Sequence, residues 1–138
     1  MKQNILGMLA IALLASSGAL AAAPRDELFA AYAAEARKAD PAFAGFSAAR
    51  GDAFHRQSFA GGKPDTPACR GCHGDDTRQT GQTPTGKRIA PMAVSRSPER
   101  YGDPAKVEKW FTRNCREVLG RDCSAREKGD WLTYVVGR

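Results

Sequence analysis

Cys69-Arg70-Gly71-Cys72-His73 is the stretch that decides how this 138-residue chain must fold. Two thiols three positions apart lie on one side of a helical turn and can each add to a haem vinyl group. The histidine that follows is then placed to meet the iron, which makes this the attachment pattern for a covalently bound haem c. The same spacing also occurs in redox dithiols, half zinc sites and structural disulfides. A thioredoxin-like pair wants a βαβ context, and zinc would need two further ligands at matching spacing. An exported chain of helices and loops suits haem c, held by Cys69 and Cys72 and ligated by His73.

Export is indicated at the N-terminus. Lys2 precedes an apolar run from Ile5 to Ala15, followed by small residues and an Ala19-Leu20-Ala21 cleavage pattern, so residues 1–21 read as a secretory signal peptide and the protein as periplasmic. The run is short for a membrane anchor, which needs about 20 apolar residues, so no span is expected once it is removed. Of the 21 basic residues, Lys2 leaves with the signal and no acid does, giving 20 bases against 15 acids and a formal charge of +5. Such an excess can steer an acidic partner, although a solvated surface is the simpler reading. The bases are interleaved with acids and accompany no recognition motif, which argues against nucleic acid.

Working outward from the cysteines, residues 26–38 carry Leu28, Phe29, Tyr32, Ala33 and Ala36 at helical spacing before Asp40-Pro41 breaks the pattern. This is an accessory helical segment over 22–45, ahead of a principal domain over 46–138. Ser47 can cap a second helix through Gly51 and Phe54 and as far as Phe59, ended by Gly61-Gly62-Lys63-Pro64. Residues 74–92 are rich in Gly, Thr, Asp, Gln and Pro and read as a loop. Asp103-Pro104 starts a third helix with Val107, Trp110 and Phe111 on its apolar face, continued by Asn114 and Cys115. Ser124 and Glu127 form a capping box for a terminal helix burying Trp131, Leu132, Val135 and Val136. No strand pattern is present, so the expected fold is all-α. Its apolar content is thin for a self-supporting core, and a buried prosthetic group would make up the difference.

Cys115 and Cys123 remain, and in an oxidising compartment they most simply pair, clamping the intervening loop onto the end of the third helix. Asn114, beside Cys115, falls on the buried stripe and needs partners there. Its amide either bonds loop backbone near the helix end or presents its oxygen to the iron as a sixth ligand.

Trp110-Phe111-Thr112-Arg113-Asn114-Cys115 with Asp122-Cys123, and Cys69-Arg70-Gly71-Cys72-His73 upstream, closely resembles the sphaeroides haem protein family of bacterial cytochromes. The Ala90-Pro91-Met92-Ala93 turn, Pro98-Glu99-Arg100-Tyr101, residues 103–110 and Lys128-Gly129-Asp130 look like that family too, so the resemblance runs from about Phe46 to Val136. It implies a class I cytochrome c fold around one covalent haem, extended by the N-terminal helix and a small disulfide loop. It further implies that Asn114 ligates ferric iron, where the similar cytochrome c-double-prime places a histidine. Gly51 would permit the close crossing of the second and terminal helices. His55, where the class usually has an aromatic, is read as a packing residue.

A neutral amide oxygen is a hard, weak donor, better matched to Fe(III) than to Fe(II), so reduction would release Asn114 and admit O2, NO or CO. The rival is a plain electron carrier ligated by Met92, the one methionine left after the signal is removed. Met92 otherwise packs in the core or at the haem edge. Lys87, Arg88, Tyr101 and Trp110 are candidate donors to the haem propionates. Nothing marks a dedicated proton donor, which argues against an enzyme. As redox partner, the resemblance implies a dihaem cytochrome c or a membrane cytochrome b.

Overall fold

The computed structural model describes residues 17–138, so the apolar run from Ile5 to Ala15 lies outside the described residues. The helical spacing after Asp26 becomes the later part of α1 (Ser17–Ala39). Leu28, Tyr32 and Ala36 recur every four residues and are buried, so one stripe of α1 docks on the rest of the chain. Asp40 closes it by accepting from the Ala42 amide, 2.9 Å. α2 (Ala48–Arg56) starts on the Ser47 cap, whose side chain accepts from the Arg50 amide. It stops at Arg56, short of Phe59. Phe59 is instead turned back against Phe54, the ring centroids 5.5 Å apart.

The one-turn α3 (Arg70–His73) carries the cysteine–histidine motif. The expected absence of strands needs correcting: β1 (Gly81–Gln82) and β2 (Arg88–Ile89) form a short antiparallel hairpin. Four ladder residues around a Thr-Pro-Thr-Gly turn are too few to leave an alternating pattern in the sequence.

α4 (Pro104–Leu119) begins at the Asp103 cap and ends at Gly120, whose φ of 74° is the left-handed conformation that glycine adopts freely. Its buried stripe is Val107, Phe111, Cys115, Val118 and Leu119. Trp110 is not on it, being 45% exposed. At about 100° per residue it sits roughly 60° from Val107, on the flank away from that stripe. The capping box of α5 (Ala125–Val136) is present as read, with Ser124 and Glu127 each accepting from the other's backbone amide.

α2 crosses α5 at Gly51, where a Cβ would overlap the Asp130 carbonyl and Tyr134. The Asp130 carboxylate locks that crossing from the side, accepting from the Ser47 amide at 2.7 Å and from Arg50 Nε and Nη2 at 2.7 and 2.8 Å. α1 joins through Tyr32, which donates to Glu108 and packs edge-on against Phe111 at 6.2 Å. Lys128 completes this cluster, 2.7 Å from Glu108 and above the Tyr32 ring. Among the described residues no helix is long and apolar enough to cross a membrane.

Candidate haem site

The site begins with one helical turn. The His73 amide donates to the Cys69 carbonyl at 3.1 Å and the Gly74 amide to that of Arg70 at 2.8 Å, so Cys69, Cys72 and His73 project from a single coil. Glycines on either side allow it. Gly74 has φ 73° and ψ 171°, a region open only to glycine, and Gly81 of β1 lies so close to the Cys72 carbonyl that a Cβ there would overlap it.

Cys69 and Cys72 are not bonded to each other or to the second pair. Burial pushes the Cys69 thiol up to about 11 and raises that of Cys72, with Glu117 adding to the latter. A reactive dithiol works through a lowered, thiolate-forming pKa, and burial shifts both of these thiols the other way. Among the described residues no group of three or more His, Cys, Asp or Glu could hold a metal ion. His73 is pushed down to about 4, first by burial and then by His55 and Arg100. It is therefore a neutral imidazole, the form that binds metals. Its Nδ1 is enclosed and, among the described residues, has no hydrogen-bond partner.

Arg100 is a site residue that the sequence reading missed. Its Nη2 donates to the Ala90 carbonyl at 2.8 Å while its Nε is buried and, among the described residues, unpartnered. The next residue, Tyr101, has φ 65°, a conformation rare for anything but glycine. That turn is held by the Tyr101 hydroxyl, which donates to the Met92 carbonyl at 2.8 Å. An isolated arginine carries no sequence signal of this kind, because the turn depends on contacts from residues 90–92.

The other expected residues divide. Met92 is buried, and its amide and that of Ala93 both reach the Thr77 carbonyl at 2.9 Å. Tyr101, partly buried and packed at a near-right angle to the Trp131 ring, keeps its proton, since desolvation of its hydroxyl pushes its pKa up. Lys87 and Arg88 are exposed on the hairpin. Arg88 shares with Arg70 and Cys72 an open, polar cleft of about 600 Å³, whereas Lys87 does not reach it. Trp110 is exposed and carries the Arg113 guanidinium over its ring, 5.3 Å from the centroid.

Cys115 and Cys123 form the expected disulfide, Cα to Cα 5.6 Å, tying the C-terminal part of α4 to the residue before the Ser124 cap of α5. Asn114, directly before that bridge, is partly buried. Among the described residues its amide has no hydrogen-bond partner, so the reading in which loop backbone satisfies it is not realised. The residues present fit a covalent haem: two free thiols on one turn, a neutral imidazole with unmet bonding capacity, and a buried guanidinium nitrogen suited to a carboxylate whose charge is felt at that imidazole.

The cytochrome c-type protein SHP of Cereibacter sphaeroides is 52% identical over 91 residues, 66% of this chain and 70% of that protein. Cytochrome c'' of Methylophilus methylotrophus is 33% identical over 112 residues, 80% of this chain and 78% of its own. The solved structure of oxidised SHP, an oxygen-binding cytochrome c, superposes with a TM-score of 0.76 at 46% identity, covering 83% of this chain and 96% of the other. This chain belongs to the SHP family of c-type cytochromes. The oxidised cytochrome c'' structure gives a TM-score of 0.73 at 32% identity, covering 83% and 94%. A family profile described as a domain of unknown function, DUF1924, matches residues 41–135. The fold of this cytochrome is the helical class I-like one expected, and its cofactor is covalently bound haem c.

Proposed function

We propose that this cytochrome works in the periplasm with one haem, using His73 as the permanent iron ligand and Asn114 as a second ligand released on reduction, which opens a site for O2, NO or CO. The observation that carries this reading is the Asn114 amide, partly buried, without a partner among the described residues, and directly before the Cys115–Cys123 bridge. Cys69 and Cys72 hold the haem as thioethers, and the neutral imidazole of His73 binds the iron without first giving up a proton. The bound haem supplies an iron that cycles between ferric and ferrous states. The Asn114 oxygen is a donor matched to the first state and not to the second. Once free, its NH2 can donate a hydrogen bond to a bound diatomic. Arg100, with its unpartnered Nε, serves a haem propionate in place of Lys87 and Arg88.

Two relatives support the reading. SHP is described as an oxygen-binding cytochrome c, and the solution structure of cytochrome c'' concerns haem-ligand detachment. Export is supported by Pro24, which lies inside α1. Cleavage after Ala21 would leave it in the first helical turn, where proline is tolerated. The electron donor on this reading is another cytochrome, a dihaem c type or a membrane b type, steered by the net positive charge.

Absorption and magnetic circular dichroism of the haem-loaded protein, oxidised and reduced, with and without CO, test the proposal. Six-coordinate ferric haem that becomes five-coordinate on reduction and binds CO, together with an altered ferric spectrum in Asn114→Ala, is the expected result. A methionine-to-iron charge-transfer band that vanishes in Met92→Ala would overturn it.

A further inference from the structure

His55 is completely buried, yet it is a histidine on the closely packed crossing of α2 and α5. Both ring nitrogens are engaged. Trp131 Nε1, which can only donate, bonds to His55 Nδ1 at 3.3 Å, and His55 Nε2 lies 2.8 Å from the Gly74 carbonyl, which can only accept. The partners thus fix one neutral tautomer, with Nδ1 accepting and Nε2–H donating. The result is a line of two hydrogen bonds from α5, through α2, to the residue directly after His73.

Gly74 needs such a fastening. Its φ of 73° and ψ of 171° lie where glycine meets little steric restraint, so the peptide that follows the iron ligand is not held by its own backbone preference. α3 is one turn long and lacks a side-chain N-cap, and a helix that short has little cooperative stability of its own. We propose that His55 is a positioning residue for the fifth ligand: oriented by Trp131, it anchors the Gly74 carbonyl and so holds the His73 backbone and imidazole in one orientation. This rests on His73 binding the iron but not on Asn114 being its other ligand. Residues that ligate metals commonly depend on second contacts to orient them. Here that contact reaches the ligand through the main chain, and among the described residues His73 Nδ1 has no partner of its own.

The test uses the cyanide adduct of the oxidised, haem-loaded protein, in which cyanide fills the sixth position whichever residue held it. Proton NMR then reads the hyperfine-shifted ring resonances of His73. His55→Phe removes both hydrogen bonds and retains an aromatic ring. His55→Gln keeps an amide nitrogen about as far along the side chain as Nε2, and Trp131→Phe removes only the orienting donor. His55→Phe is expected to shift the His73 resonances and split them into more than one set, with Trp131→Phe shifting them less and His55→Gln restoring a single set. A single, unshifted set in His55→Phe overturns the proposal. If His55→Phe does not load haem, an unshifted spectrum in Trp131→Phe overturns it instead. Loss of the Asn114 effect in the coordination experiment would leave this result untouched.

Discussion

His55 is held neutral by its surroundings: burial lowers its affinity for a proton more than the Gly74 carbonyl, Asp52 and Asp75 raise it, and Arg56 lowers it further. The unfolded chain takes up that proton below about pH 6.5, so between that pH and the lower folded value the unfolded state binds more protons and stability falls on acidification. The haem-loaded protein should therefore melt at a lower temperature at pH 5 than at pH 7, and His55→Gln should flatten that difference. An unchanged slope would mean that other groups carry it. Arg100 allows a second test at this scale. Its positive charge lies near His73, and a cation beside the iron favours the ferrous state. Arg100→Leu should lower the reduction potential in a spectroelectrochemical titration, where a tenfold change in the one-electron equilibrium corresponds to about 59 mV.

Single helices and their connections decide a different set of properties. The disulfide closes a short loop between α4 and α5, and replacing Cys115 and Cys123 with serine should remove about 2–3 kcal/mol by the chain-entropy estimate for so short a loop. Denaturant unfolding measures that loss. The same variant should also broaden the ferric spectrum if the adjacent Asn114 is a ligand. At the α2–α5 crossing, Gly51→Ala would force a methyl group into the Asp130 carbonyl. Overpacking of this kind costs about 1–3 kcal/mol, read as a lower melting temperature with the haem spectrum otherwise unchanged. The helix starts were legible because caps are local: Ser47, Asp103 and Ser124 each bond an amide three residues on. The end of α2 was not, since Phe59 has the apolar character of a helix position and only its contact with Phe54 shows that the chain has already turned. Trp110 misled in the same way, because an aromatic at the edge of a stripe has the correct spacing whether or not anything covers it.

Across the whole molecule, α1 is part of the core. Leu28 and Tyr32 belong to the same buried cluster as Phe111, Trp131 and Leu132, and Tyr32, Glu108 and Lys128 link α1, α4 and α5. Burying one large apolar side chain contributes about 1.5–3 kcal/mol. A chain starting at Phe46 should accordingly lose several times that and expose Phe111, a change that thermal unfolding and dye binding to apolar surface would register. Retention of full stability would make α1 an ornament.

The sequence alone determined the haem attachment turn, the caps, the second cysteine pair and the helical class, because each depends on residues within about one or two helical turns of one another. Tertiary structure alone decided that the Arg100 charge acts on His73, that among the described residues the Asn114 amide has no partner, and that His55 joins Trp131 to Gly74. These last three residues are 76 and 19 positions apart along the chain. No local pattern encodes such a pairing; it exists only once a glycine lets two helices cross closely enough to bring the hydrogen-bonding groups into reach.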